Sequence, residues 1–259
     1  MGADPTVAGD LRTAELAARL AAVRARLATA VAAAGREPGE VELLVVTKFF
    51  PAADVIRLIG LGERSFGESR EPEAGRKIAE VRTNPAVARL GAATSFDMIG
   101  SVQTKKVKTV ARWSRAVHSV DREKLVVQLS SAAAAALDAG ERSAPLRVYL
   151  QVSLDGDPAR GGVGEAGLAA LADTVESSES LELAGLMVIA PLRGSSQQNT
   201  SQYWMDQAQR IHHAFRENYP QAVGLSAGMS GDLDTAVAHG STCVRVGTAI
   251  LGQRPLLSR

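Results

Sequence analysis

The amino-acid sequence predicts an α/β protein built as a single (β/α)8 TIM barrel, with one extra helix in front of it. The main observation is that short apolar runs alternate with helical patterns along nearly the whole chain, as in a barrel of about 250 residues. Eight runs are recognised, at residues 41–48, 64–67, 96–100, 116–120, 146–154, 183–190, 223–229 and 243–251. A helical pattern follows each of the first seven. The alternative fold, a doubly wound sheet, usually has fewer strands.

A second observation concerns domain organisation. No stretch rich in proline, glycine and serine divides the chain, so residues 10–259 are predicted to form one domain. Residues 1–9 are predicted to be a disordered tip. The extra helix is predicted from Asp10, a helix-capping residue, to Gly35, which can end a helix. Between them, apolar residues recur at helical spacing: Leu16, Leu20, Val23, Leu27 and Val31.

Composition excludes several classes of protein. A formal net charge of +1 gives no reason to expect a nucleic-acid or membrane partner held by charge. No run of about 18 apolar residues is present, so a transmembrane helix is not expected. The one cysteine, Cys243, excludes an internal disulfide and fits a reducing compartment. A cytoplasmic location is therefore expected.

The first candidate for chemistry is Lys48, at the end of the first apolar run. Parallel α/β folds place their ligand sites at the carboxyl ends of the strands. The chain has six lysines and 23 arginines, so this position is not filled by its commoner cation. An amine can form an imine with a carbonyl compound, whereas a guanidinium is always charged and does not. The alternative is a rim lysine that extends into water.

The second candidate is residues 225–232, which follow the seventh run and open a helix. Gly228 and Gly231 allow the backbone to turn and to approach a ligand closely. Backbone N–H groups at a helix start, with the hydroxyl of Ser230 nearby, suit a phosphate. The alternative is an ordinary helix cap, which is common.

The third candidate is residues 244–249, in the eighth run. Strand alternation places Arg245 and Gly247 on one face, and Thr248 adds a hydroxyl. An arginine inside a strand of small and apolar residues needs a partner. The alternative is an arginine that closes the barrel mouth with a neighbouring carboxylate.

Taken together, the three stretches indicate an aldehyde that carries a phosphate. Barrels frequently build a phosphate site from the loops after strands seven and eight, and Lys48 would lie at the same rim. Pyridoxal 5'-phosphate, held as an imine, fits this description, and a phosphosugar aldehyde is the alternative. Residues 162–167 match the dinucleotide pattern G-x-G-x-x-G, but they do not directly follow a strand, so a connecting loop is predicted.

Several motifs in order resemble those of the pyridoxal phosphate homeostasis protein family, which is related to the N-terminal barrel of alanine racemase. The resemblance covers nearly the whole chain and is carried by residues 45–48, 66–68, 99–103, 185–187, 225–230 and 245–250. It implies a barrel that binds pyridoxal phosphate as a Schiff base on Lys48. The cofactor-binding residues expected on this basis are Lys48, Ser69, Ser226, Ser230, Arg245, Gly247 and Thr248.

The resemblance also implies particular roles. Ser230, Gly247 and Thr248 would contact the phosphate, and Arg245 the pyridine nitrogen. The sequence departs from the family pattern where Ser69 and Lys105 replace usual asparagines, Asp97 a usual histidine and Ala227 a usual methionine. The change at Ser69 puts one polar contact near the imine in doubt.

The residues favour holding the cofactor over catalytic turnover. Arg245 offers only donors, so it does not stabilise a protonated pyridine nitrogen. Racemisation needs a second acid or base, and the tyrosine domain of alanine racemase-like enzymes is not expected here. Tyr149, Tyr203 and Tyr219 fall in predicted strand or helix. We expect a monomer with recipient apo-enzymes as further partners; a racemase-like enzyme is the alternative.

Overall fold

Eight parallel strands close into one barrel in the order β1 to β8. The structure is a computed structural model that describes residues 5–91, 93–191 and 200–253. The strands are β1 Glu42–Val46, β2 Ser65–Glu68, β3 Ser95–Met98, β4 Ala116–Val120, β5 Leu146–Val152, β6 Leu181–Val188, β7 Gly224–Ser226 and β8 Cys243–Val246. The predicted (β/α)8 fold class is confirmed.

Helices surround the barrel and connect its strands. They are α1 Pro5–Ala33, α2 Ala52–Gly60, α3 Glu73–Thr83, α4 Pro85–Leu90, α5 Val107–Trp113, α6 Glu123–Asp138, α7 Leu168–Glu176, α8 Ser201–Asn218, α9 Leu233–Ala238 and α10 Thr248–Leu251. None of the helices in these described ranges is long and apolar enough to cross a membrane.

The extra helix α1 packs along the side of the barrel that carries α9 and α10. Its apolar stripe is buried, as its spacing predicts, from Leu16 and Leu20 to Val31. The helix begins at Pro5 and not at Asp10 as predicted. Residues 1–4 of the predicted disordered tip lie outside the described residues.

Two buried apolar clusters hold the fold together. The larger one lies between the strands and the surrounding helices, where parallel strands covered on both faces become continuous apolar runs. A separate small cluster consists of Ala116, Tyr149, Ala184 and Met187, on β4, β5 and β6. The polar side chains of Asp97, His118, Ser226 and Arg245 are also buried, and the His118 ring lies against that of Tyr149 in this cluster.

The structure also differs from the sequence prediction at the end of β8 and at α4. The eighth strand was expected to reach Leu251, but it ends at Val246, and Thr248–Leu251 form α10. A short apolar run carries too little periodicity to distinguish a strand from a buried helical turn. The helix α4 was not expected; it begins at Pro85, and the Asn84 side chain accepts a hydrogen bond from the Ala86 backbone N–H at 2.9 Å.

The loop after β5 is tied to the barrel. Val163 donates its backbone N–H to the Gln151 carbonyl at 2.8 Å, and the Val163 carbonyl accepts from the Ser153 N–H at 2.9 Å. The glycine-rich residues 162–167 are therefore a hydrogen-bonded connection several residues beyond the end of β5, in agreement with the predicted connecting loop.

The close approach of β6 and β7 depends on Gly185. Its φ is +145°, and a Cβ added there would lie 1.8 Å from the carbonyl oxygen of its partner Gly224. We expect Gly185→Ala to lower the free energy of unfolding by at least about 2 kcal/mol, since backbone strain and overpacking add. Urea unfolding measures the change. Gly164→Ala is the control, because nothing lies within 4 Å of its added Cβ; an equal loss in both variants would contradict the prediction.

Candidate functional site

A cavity of about 430 Å³ opens at the carboxyl ends of the strands, a size typical of small-molecule sites. Five of the seven cofactor-binding residues expected from the sequence line it together: Lys48, Ser230, Arg245, Gly247 and Thr248. Most of the remaining wall is apolar, from Val46, Phe49, Phe50, Ile99, Ile189 and Met229. The cavity therefore combines an amine, a guanidinium and two glycine-containing loops.

Lys48 stands on a firmly held piece of backbone just beyond β1. Its neighbour Thr47 donates its backbone N–H to the Gly67 carbonyl at 3.0 Å and its hydroxyl to Glu68 Oε1 at 2.6 Å. Lys77 donates from Nζ to the Thr47 carbonyl at 2.9 Å. The Lys48 amine lies 5.2 Å from the centre of the Phe49 ring, within cation–π range. The backbone that carries the amine is thus fixed from β2 and α3.

The loops after β7 and β8 meet across one end of the cavity. The Ser230 hydroxyl accepts a hydrogen bond from the Ala249 N–H at 3.3 Å, and Arg26 of α1 donates to the Ser230 carbonyl at 2.7 Å. In the described residues, the backbone N–H groups of Ser230, Gly231 and Thr248 have no acceptor. Orphan N–H groups beside hydroxyls are an arrangement that suits an anion such as a phosphate.

Gly247 allows β8 to pass close to β1 at this point. A Cβ at residue 247 would lie 3.1 Å from the Val46 carbonyl oxygen, closer than side chains normally approach. A Cβ at Gly231 would meet nothing within 4 Å, so this loop opens towards free space. Small residues therefore leave the floor of the cavity accessible to a ligand.

Arg245 is buried beneath the cavity, with 6 % of its surface exposed. It donates from Nη1 to the Ser226 hydroxyl at 2.6 Å and from Nη2 to the Val188 carbonyl at 2.7 Å. No carboxylate forms an ion pair with it in the described part of the chain. The alternative interpretation, an arginine paired with a carboxylate at the barrel mouth, is thus not supported, and a cationic donor is left at the cavity wall.

Two predicted site residues do not line the cavity. Ser226 is fully buried, and its hydroxyl lies between Arg245 and His118, with 2.8 Å to His118 Nδ1. Ser69 is partly buried, and its carbonyl oxygen lies 2.1 Å from the position that a Cβ at Gly100 would take. Ser226 therefore acts on the cavity through Arg245, and Ser69 packs its backbone against the loop after β3.

The cavity wall offers few groups for acid or base chemistry. Among the described lining residues, the ionisable side chains are those of Lys48 and Arg245. The tyrosines are elsewhere: Tyr149 stacks on His118, with ring centres 4.4 Å apart, and burial raises its pKa. Tyr219 donates to Asp173 on the outer surface, and burial together with this hydrogen bond raises its pKa to about 12.

Sequence reasoning missed the supporting residues of the site. Lys77 and Arg26 lie on helices and reach Thr47 and Ser230 from outside the barrel. His118, which contacts the serine that holds Arg245, was not among the predicted site residues. A signal was available for His118, a polar residue in the middle of the apolar run 116–120, all of which is buried.

Comparisons with known proteins agree with this architecture. Residues 18–255 match the family model described as "Alanine racemase, N-terminal domain". The pyridoxal phosphate homeostasis protein of Mycobacterium tuberculosis is 50 % identical over 263 residues, covering 100 % of both chains.

Solved structures show the same likeness. PipY of Synechococcus elongatus, in a structure with PLP bound, has 30 % identity and a TM-score of 0.74, over 92 % of this chain and 100 % of that one. An unknown protein from Bifidobacterium adolescentis has 29 % identity and a TM-score of 0.81, over 93 % and 96 % of the two chains.

The fold and site thus define a barrel of the alanine racemase N-terminal class. Within it, the chain belongs to the pyridoxal phosphate homeostasis protein family, as its motifs indicated.

The Lys77–Glu68 pair gives a test of how the Lys48 backbone is held. Burial raises the pKa of Glu68, while Lys77 at 2.8 Å and Thr47 favour its ionised form. We expect Lys77→Met to destabilise the protein by about 3–5 kcal/mol at pH 8, because it leaves a buried carboxylate without a cation. The free energy of urea unfolding measures the loss.

The destabilisation caused by Lys77→Met should depend on pH in one direction. Without Lys77 the folded pKa of Glu68 rises further above its unfolded value, so the loss of stability should shrink as the pH falls from 8 to 5 and the carboxyl takes up a proton. The double variant Lys77→Met/Glu68→Gln is the matched control and should be more stable than Lys77→Met alone. A double variant no more stable than the single one would contradict this account of the pair.

Proposed function

We propose that this protein binds pyridoxal 5'-phosphate as a Schiff base on Lys48 and takes part in the intracellular homeostasis of the cofactor, without catalytic turnover. The observation that carries the proposal is that Lys48, Arg245 and the loops at Ser230 and Gly247 share one cavity. The family and the PLP-bound PipY structure support the choice of ligand.

The chemistry of the cavity fits the three parts of this ligand. The unprotonated Lys48 amine would add to the aldehyde carbon, and loss of water would leave the C=N bond. Backbone N–H groups and the hydroxyls of Ser230 and Thr248 would bind the phosphate oxygens. Arg245, a permanent donor, would face the pyridine nitrogen as an acceptor. A phosphosugar aldehyde would leave the buried guanidinium without such a ring partner.

The proposal that the protein holds the cofactor without turnover is supported by the small number of acid or base groups in the described cavity wall. An enzyme that moves a proton on a substrate carbon needs a positioned acid or base besides the imine lysine. The described wall offers Lys48 and Arg245, and the guanidinium does not give up its proton. Imine formation is reversible by hydrolysis, so the same lysine can release the aldehyde. We therefore take apo-enzymes that need the cofactor as recipients.

The first prediction concerns the covalent bond. Mixed with pyridoxal phosphate, the wild-type protein should develop a visible imine absorption band, and borohydride should fix the adduct on Lys48, located by mass spectrometry. Lys48→Ala should lose the band because it removes the amine. Lys124→Ala, which alters an exposed lysine on α6, is the control and should behave as wild type. A full band in Lys48→Ala would refute the assignment.

The second prediction concerns retention of the cofactor. We expect Arg245→Ala and Ser230→Ala to raise the dissociation constant of pyridoxal phosphate, with the larger effect for arginine. A charge-assisted contact is worth about 1.5–3 kcal/mol, or roughly 10- to 150-fold in affinity, and a neutral hydroxyl about 1 kcal/mol. Equilibrium dialysis measures the change, with Thr174→Ala on α7 as control. Unchanged affinity in both variants would contradict the placement of ring and phosphate.

The proposal of no turnover has its own test. The loaded protein is incubated with amino acids in heavy water, and exchange at the α-carbon is followed by NMR. No Lys48-dependent exchange above that of free pyridoxal phosphate is expected. Rapid exchange that disappears in Lys48→Ala would replace the holding function with a racemase-like activity.

A further inference from the structure

A chain of hydrogen-bonded polar side chains starts at the half-buried Arg115, runs through the barrel interior and ends at the buried Arg245. Arg115 donates from Nε to Asp97 Oδ1 at 2.9 Å and from Nη2 to Oδ2 at 2.5 Å. His118 Nε2 lies 3.2 Å from Asp97 Oδ2, and His118 Nδ1 lies 2.8 Å from the Ser226 hydroxyl. Ser226 in turn contacts Arg245 Nη1 at 2.6 Å. Four strands, β3, β4, β7 and β8, supply the members from Asp97 to Arg245.

One arrangement of protons gives every donor in this chain an acceptor. Arg245 has donors and no acceptor, so the Ser226 oxygen must accept from it. In this arrangement the Ser226 O–H donates to His118 Nδ1, and this nitrogen carries no proton. The His118 proton is therefore on Nε2 and points to Asp97. Every member is satisfied when His118 is neutral and Asp97 is ionised.

The environment supports these charge states. Burial lowers the pKa of His118, which favours the neutral ring. Burial alone would raise the pKa of Asp97, but hydrogen bonds from His118 and Arg115 outweigh it, and the pKa lies below its usual value. Arg115 also pairs with Glu42 at 2.7 Å, so two carboxylates balance the two guanidiniums along the chain.

Burial gives the chain a strong hold on its last member. Asp97, His118 and Ser226 are at most 1 % exposed, so the Ser226 hydroxyl would lose its hydrogen bond from Arg245 without replacement from water if Arg245 turned away. The Val188 carbonyl fixes a second edge of the same guanidinium. Because the guanidinium is planar, two fixed edges leave its remaining N–H groups a single orientation.

We propose that Asp97, His118 and Ser226 are positioning residues that fix Arg245 as a hydrogen-bond donor to the ring nitrogen of the bound cofactor. The inference rests on the proposed function and deepens it. It assigns the chain the task of keeping that nitrogen an unprotonated acceptor, which weakens the ring as an electron sink. It also gives a reason for a carboxylate at residue 97: the chain needs an anion at its end, between His118 and Arg115.

Ser226→Ala is the sharpest test, because it removes one hydroxyl from the middle of this hydrogen-bonded chain and keeps the arginine at residue 245. Ser241→Ala is the matched control: Ser241 is equally buried, and its hydroxyl donates to the Ala227 carbonyl at 2.8 Å, away from the chain. Asp97→Asn tests the far end. The readouts are the ¹⁵N chemical shift of ring-labelled pyridoxal phosphate in the complex, its dissociation constant, and urea unfolding.

We expect Ser226→Ala to move the ¹⁵N signal and to weaken binding about tenfold, the loss of one charge-assisted contact. Asp97→Asn should also move the ¹⁵N signal and weaken binding. The double variant Ser226→Ala/Asp97→Asn should lose less binding free energy than the sum of the two single losses, because both residues belong to one hydrogen-bonded chain. Ser241→Ala should change only the stability. If Asp97→Asn does not fold, Ser226→Ala decides alone.

The outcomes separate the two proposals. Wild-type ¹⁵N shift and affinity in Ser226→Ala, with an intact imine band, would overturn the positioning role and leave the proposed function standing. Failure of the wild-type protein to form the imine would overturn the proposed function and this inference with it.

Discussion

The pairing of β1 with β8 is the constraint on which the site depends. In this register Leu44 lies opposite Arg245 and Val45 opposite Val246, so the end of the first strand meets the end of the last. Lys48 and Gly247, nearly 200 residues apart in sequence, are brought to one cavity by this closure. An open sheet with the same strands would leave the amine and the guanidinium on opposite edges, with no common ligand.

The extra helix α1 supports this closure from outside. Arg26 binds the Ser230 carbonyl, and Arg12 donates to the Leu251 carbonyl at 3.0 Å while it pairs with Asp54 of α2. The helix therefore ties the loop after β7, the short α10 and the first crossover helix together. The contacts with Ser230 and Leu251 are to backbone carbonyls, whose positions a helix can fix regardless of which side chains the loops carry. The precise placement of orphan N–H groups in such short loops requires support of this kind.

The barrel and the cavity-lining residues could be predicted because both depend on the order of the strands along the sequence. Parallel strands end at one rim, so Lys48, Ser230 and Thr248 could be placed together from their positions after apolar runs. The cavity lining agrees with that placement. Ser226 was grouped with them, but alternation alone does not tell whether a hydroxyl faces a ligand or a neighbouring strand. The error at the end of β8 has a similar origin, since the apolar residues 249–251 suit a strand as well as a helical turn.

The hydrogen-bonded side chains that lead from Asp97 to Arg245 could not be predicted, because they pair across the barrel. Asp97 and His118 are 21 residues apart, and Ser226 follows after another 108, so no spacing rule connects them. What the sequence did show was a carboxylate and an imidazole inside apolar strands, which implies partners without naming them. Once strand order is known, the permanent charge of Arg245 fixes the direction of its hydrogen bond to Ser226.

Burying several polar and charged side chains to support one guanidinium costs folding free energy, which indicates that the network serves the site. Replacing a buried ionic network with apolar residues is often neutral or stabilising, so folding alone does not require Arg115, Asp97 and His118. An arginine held from below by a serine, and not by a carboxylate, keeps its full charge directed at the cavity. A carboxylate in contact with it would neutralise the charge that a ring acceptor needs. The network therefore places the balancing anion Asp97 three hydrogen bonds away, which secures Arg245 in position and leaves its field available to the ligand.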